Sequence, residues 1–252
     1  MTKAEALTTF ALEMGDNALI LGHRVSEWTG HGPVLEQDMA LTNIALDLVG
    51  AARLWLSLAG EWEAKGRGED ELAYHRDGWD FKNTLLVEQP NGDFAHTIVR
   101  QFLYDAYNFH FHQALTQSTE PRIAAIASKT LKEVTYHLRY SSEWMLRLGG
   151  GTEESHRRLQ NALNILWPFS GELLMPTEAA NMLTALGIAP NLTELRPLVA
   201  AKITEVLAEA NVVAPKNDWM QSGGKQGRHT EHLGYILTEL QFVQRAYPNM
   251  TW

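Results

Sequence analysis

Apolar residues in this chain recur at three- and four-residue steps in one run after another, and no sustained alternation with hairpin turns interrupts them. Lys3 to Trp28 carries Ala6, Phe10, Leu12, Leu19, Ile20 and Val25 at helical spacing, and Gly30 with Pro33 ends the run. A second helix is predicted from about Leu35 to Ala64, with Leu41, Ile44, Leu48, Ala51, Trp55 and Leu58 as its core stripe. Gly66 to Asn83 is polar and Gly-bearing, too irregular for a long helix, and suits a crossover. Phe94 to Thr116 follows, capped by Asp93, and Pro121 opens a fourth long helix that Gly149 to Gly151 stops. Shorter helices are predicted from Thr152 to about Leu174, Thr177 to Leu186, Thr193 to Ala210 and Thr230 to Ala246. No fixed-period repeat is visible, so the prediction is one all-α domain over residues 1–252, with a core bundle over 3–148 and added C-terminal helices over 152–246.

Polar residues break the pattern where a bundle wants leucine. On the second helix Glu36, Ala40, Asn43, Asp47, Gly50 and Leu54 keep core spacing but are polar or small. On the third, Asp105 falls in a stripe with Ile98, Phe102, Phe109 and His112. On the fourth, Ile126, Thr130, Glu133, His137, Tyr140 and Trp144 share a face, and burying Glu133 and His137 is costly unless they pair or hold a metal. Glu13, Asp16, Asn17, His23 and Glu27 lie near the apolar side of the first helix, and Asp16, His23 and Glu27 are read as solvated, capping or interface residues.

Four long helices joined short, long, short, with inward acids and a histidine, point to a ferritin-like up-down four-helix bundle with a long crossover. In its di-iron members one helix of each pair gives a Glu and the other a Glu-x-x-His, because residues three apart face the same core. Here the set is incomplete. Asp47-Leu-Val-Gly50 ends in glycine where histidine belongs, and Val134-Thr-Tyr-His137 begins with valine where a carboxylate belongs. Glu133 is one residue off, a turn of about 100° round the helix. Asp47, Asp105, Glu133 and His137 are therefore expected to form a metal-free, hydrogen-bonded polar core at a former di-iron position, with Tyr104, Tyr140 and Arg53 as candidate partners. The aromatic residues, among them Trp28, Trp55, Trp144 and Trp167, are read as packing.

Composition narrows the chemistry further. Hydrophobic residues make up 45% and charged residues 20%, the profile of a globular protein. The formal net charge of -9 and the lack of a basic run argue against nucleic acid and anionic membranes. With no cysteine there is no disulfide, thiolate or iron–sulfur chemistry, so any metal must use oxygen and imidazole ligands. No uninterrupted apolar stretch has the length of a membrane span and no targeting pattern opens the chain, so a cytoplasmic location is expected. The Gly-rich loop Val212 to His232 offers Lys225, Arg228 and His229 as weak contacts for an anion or coenzyme A at the start of the last helix.

Four blocks carry a resemblance to a known family: Leu21 to Leu54, Leu85 to Tyr107, Lys132 to Thr152 and Gly223 to Arg245. Their sequences, among them LGHRVSEWTGHGPVLEQDMALTNIALDLVGAARL and GGKQGRHTEHLGYILTELQFVQR, resemble the C-subunit family of phenylacetyl-CoA epoxidase, the PaaC type of phenylacetate catabolism protein. The resemblance covers nearly the whole chain. It implies a structural, non-catalytic, iron-free ferritin-like subunit that pairs with a homologous di-iron catalytic subunit. Further small subunits and a reductase that passes electrons from NADPH complete the implied complex, which epoxidises the ring of phenylacetyl-CoA. Two other classes remain open from the residues: a di-iron oxygenase or oxidase using Asp47, Asp105, Glu133 and His137 as a non-standard ligand set, and a CoA-thioester binding module built on the Gly-rich loop.

Overall fold

The structure is a computed structural model that describes residues 1–216, 219–248 and 250, so residues 217 and 218 of the Gly-rich loop lie outside the described residues. Among the described residues there are nine α-helices and no strand: α1 (Lys3–Ser26), α2 (Leu35–Glu63), α3 (Glu69–Tyr74), α4 (Phe94–Leu115), α5 (Pro121–Gly149), α6 (Glu153–Ser170), α7 (Glu178–Ala185), α8 (Leu192–Glu209) and α9 (Glu231–Ala246). The fold is all-α, as a ferritin-like helical bundle requires. The chain divides into two compact units, each assembled from separated segments. The first holds Met1–Gln89, Thr177–Leu183 and the stretch from Gly223; the second holds Pro90–Pro176 and Thr184–Ser222. The C-terminal helices are thus shared out between the units and do not form one appendage.

In the first unit α1 and α2 pack along their lengths, with Phe10 edge-on to Trp55 at 6.0 Å between ring centroids. Thr2 and Glu5 close a capping box at the start of α1, which satisfies two of the free amides there. α2 ends at Glu63, where Ala64 turns left-handed with φ 55°. By length and apolar composition α2 also qualifies as a membrane span, with a mean hydropathy of 1.3 over its best window. Leu41, Ile44, Leu48, Trp55 and Leu56 are buried by packing and supply part of that composition; 44% of the window is buried. The crossover, expected to be irregular, contains α3 and a 3-10 turn at Gly78–Asp80. Only six residues long, α3 is held by tertiary contacts: Leu72 is buried, and Gln241 of α9 donates to the carbonyls of Ala73 and Arg76, both at 3.0 Å.

In the second unit Asp93 caps α4 by accepting from the His96 amide at 2.9 Å, and Pro121 stands in the first turn of α5. Phe94 meets Trp144 edge-on at 4.9 Å, which fixes the start of α4 against the end of α5. Thr152 caps α6 at the Ser155 amide, and Pro168 near its end removes an amide donor before the helix tightens into a 3-10 turn over Gly171–Leu174.

Candidate functional site

The polar core of the second unit is built on the faces of α4 and α5. Asp105 is fully buried; Gln101, one turn earlier on α4, donates to its Oδ1 at 2.8 Å, and Ser141 of α5 donates to its Oδ2 at 2.8 Å. The signal for both partners was the four-residue step: Gln101 precedes Asp105 by four and Ser141 follows His137 by four. His137 is 1% exposed, and Tyr104 and Tyr140 are also buried, whereas Glu133 is half-buried. Burial pushes the Asp105 carboxyl up to about 6, while His137, Ser141 and Gln101 pull it back down. Burial likewise drives the neighbouring Tyr104 hydroxyl above its usual range.

These residues do not fit a di-iron centre. Val134, at the carboxylate position, is 1% exposed and offers hydrocarbon alone. Gly50, at the histidine position, lies on an exposed part of α2 where an added Cβ would meet nothing within 4 Å, so space does not explain the missing side chain. Both Asp105 oxygens already accept hydrogen bonds from the chain. Among the described residues no group of three or more His, Asp or Glu is arranged to hold a metal ion. Asp47 belongs to the first unit and is half-buried, and the stripe containing it is exposed at Glu36, Asn43 and Gly50, not buried as its spacing predicted. Arg53, expected to serve the buried acids, is exposed and pairs instead with Glu69 at 3.2 Å.

The first unit holds a second polar core that spacing alone did not reveal. Asp16, expected to be solvated, is fully buried and forms a two-point ion pair with Arg76, one arm at 3.0 Å; it also accepts from the Lys82 amide at 2.8 Å. Asn17 accepts from the amide and hydroxyl of Thr84 at 2.9 and 2.8 Å. Burial raises the Glu13 carboxyl to about 7, against the pull of Lys225, Thr177 and Lys82. His23 is half-buried, and burial lowers its basicity; Glu27 is exposed and pairs with Arg24 at 3.0 Å.

The part of the Gly-rich loop from Gly223 on is fastened into this unit. Its expected anion is the chain's own: Glu88, fully buried, accepts at Oε1 from the amide and hydroxyl of Thr230 at 2.6 and 2.8 Å, at the start of α9. At Oε2 it accepts from Asn83 and from His229 Nδ1, both at 2.9 Å. The other ring nitrogen of His229 lies 3.0 Å from the Phe81 carbonyl oxygen, Lys225 is 8% exposed, and Arg228 is exposed. Glycine is required at 224 and 227, because a Cβ there would stand 2.2 Å from the Asn83 and Trp79 carbonyl oxygens.

Comparison with known proteins agrees along the full length of the chain. The family model for phenylacetic acid catabolic protein matches residues 1–252. The chain belongs to that family. It is 46% identical over 246 residues to the C-subunit of 1,2-phenylacetyl-CoA epoxidase from Escherichia coli (strain K12), which covers 98% of this chain and 99% of the relative. Membership in the phenylacetic acid catabolic family gives the chain a role in phenylacetate catabolism.

The Asp105 cluster of this family member makes a pH prediction. Its folded pKa is raised from an ordinary 3.8 to about 6, so between those values the folded state holds a proton that the unfolded state has released. The Asp105 contribution to stability is therefore greatest below about pH 4 and declines as pH rises through 6. Asp105→Asn, which can still accept from Gln101 and donate to Ser141, is expected to stabilise the chain by about 2 kcal/mol at pH 7.5 and to change little at pH 4. Urea unfolding at the two pH values checks this; an equal effect at both would show that folding does not raise the Asp105 pKa.

Proposed function

We propose that this chain is the structural, non-catalytic subunit of a phenylacetyl-CoA epoxidase, working in the cytoplasm beside a homologous di-iron subunit that performs the ring epoxidation. The observation that carries this reading is the donor set: glycine at 50, buried valine at 134, and an Asp105 carboxylate already satisfied by Gln101 and Ser141. Iron, and the electrons that arrive from NADPH through a separate reductase, are assigned to the other subunits. This chain contributes a rigid helical surface that keeps the neighbour's ligand helices in register.

The surface of α2 supports that role. Leu35, Met39, Leu46 and Val49 recur along one exposed face, with exposures of 72, 57, 64 and 45%. Gly50 follows the same face, and glycine inside a helix costs about 1 kcal/mol relative to alanine. Among the described residues nothing requires it, whereas a partner helix approaching closely would.

Elemental analysis of the chain purified alone and with its catalytic partner tests the assignment. Iron is expected only when the partner is present, and the catalytic subunit made alone is expected to be poorly soluble or poorly active. About two irons on the isolated chain would overturn the reading. Leu46→Asp with Val49→Asp is expected to abolish co-purification while leaving the helical circular dichroism unchanged; unchanged co-purification would remove α2 from the interface.

A further inference from the structure

The second unit contains a cavity of about 340 Å³ that neither the Asp105 cluster nor the α2 surface uses. It lies where α6 gives way to its 3-10 turn, and α4 and α8 supply two further walls. Leu103, Leu173 and Val199, each no more than 2% exposed, give it a hydrocarbon floor. Tyr107 and Trp167 add aromatic surface, and the Tyr107 ring is braced by Phe111 at 5.1 Å between centroids. That volume is in the range of small-molecule sites, and such sites combine apolar walls with a few fixed polar groups.

The polar group here is Arg196 of α8. Most arginines of this acidic chain hold a carboxylate, as Arg24, Arg53, Arg67, Arg76 and Arg245 do. Arg196 lines the cavity and, among the described residues, has no acidic partner; its Nη2 donates to the Leu174 carbonyl at 3.2 Å. Arg196 is itself exposed, and that bond ties one arm of the guanidinium while its planar fork keeps other N–H groups for a ligand. A planar fork beside an apolar, aromatic cavity suits a flat hydrophobic body that ends in a carboxylate, which the guanidinium can hold through two charge-assisted bonds.

We propose that this cavity is a binding site for a small aromatic carboxylate, with the ring against Tyr107 and Trp167 and the carboxylate on Arg196. The site does not depend on the subunit role proposed above, because every residue in it belongs to the second unit of this chain. A ligand of about ten heavy atoms in such a site is expected to bind with a Kd on the order of 10⁻⁴ M.

Isothermal titration of the full chain with phenylacetate, phenylacetamide and octanoate is the test. Saturable phenylacetate binding is expected, with phenylacetamide at least 10-fold weaker and octanoate weaker than phenylacetate. Arg196→Gln is expected to weaken phenylacetate at least 10-fold and to leave phenylacetamide unchanged. Ala200→Trp, at an exposed position on the cavity wall, is expected to abolish binding without moving the thermal unfolding midpoint. No saturable binding would overturn the proposal, as would equal binding of acid and amide or phenylacetate binding that survives both substitutions. Tighter binding of octanoate would overturn the aromatic assignment.

Discussion

Replacing Arg76 with methionine is expected to destabilise the first unit by about 3–5 kcal/mol, the cost of leaving one member of a buried ion pair uncompensated. Arg76 and Asp16 are 3 and 0% exposed, so water cannot take over the role of the missing partner. The guanidinium is tied to more than the carboxylate: it lies 4.3 Å from the Phe81 ring centroid and donates to the carbonyls of Leu72 and Asp80. Losing it would loosen α3 and the turn after it, because its bonds to the Leu72 and Asp80 carbonyls add to the Gln241 contacts that hold so short a helix. Replacing both partners, Asp16→Leu with Arg76→Met, is expected to recover most of the loss, since two well-packed apolar groups of similar size avoid the desolvation cost. Recovery should be incomplete because the Lys82 amide, which now donates to Asp16 at 2.8 Å, would lack an acceptor. Urea unfolding of the two single variants and the double variant gives the coupling. A single-variant cost below about 1 kcal/mol would show that the pair contributes no more than an exposed one.

The pair also marks where reading the sequence stops. Helix limits were legible because they depend on neighbours: Thr2, Asp93 and Thr152 cap from within three residues, and Pro121 enters at a first turn. Burial of Asp105 was legible for the same reason, since its stripe is written at helical spacing on one element. The burial of Asp16 was not, because its partner lies 60 residues away on a segment whose local sequence reads as an irregular connection. The helix α3 was hidden likewise: six residues carry too little periodicity, and the contacts that stabilise it come from α9. Spacing on α2 placed the stripe Glu36 to Leu54 toward the core, and the structure turns much of it outward. A polar and small stripe reads the same whether it lines a core or meets another protein, and here Asn43 and Gly50 are exposed. The Gly-rich loop was legible as a place where backbone amides want an anion; that the anion is Glu88, 142 residues before Thr230, belongs to the tertiary structure alone.

Glu88→Ala is expected to cost about 3–5 kcal/mol, comparable to the loss of Arg76, because it strands several buried donors at once. The carboxylate accepts four hydrogen bonds, from Thr230 twice, Asn83 and His229, which is close to the capacity of its two oxygens. Two of these come from Thr230, the N-cap residue of α9, where the helix dipole adds to the preference for negative charge. Glu88→Gln separates charge from shape. Its single oxygen can serve either the Thr230 pair or the Asn83 and His229 pair, while its amide faces donors on the other side, so a cost of about 1–3 kcal/mol is expected. Hydrogen exchange locates the damage: in both variants the amides of Gly223 to His232 should exchange faster, and those of α4 and α5 should be unchanged. The close approaches of Gly224 and Gly227 to the Asn83 and Trp79 carbonyls have no side chains to hold them, so the loop stays seated only while Glu88 fixes its end. Protection of the loop that survives Glu88→Ala would mean that the glycine contacts suffice by themselves, and the carboxylate would then be a helix cap and nothing more.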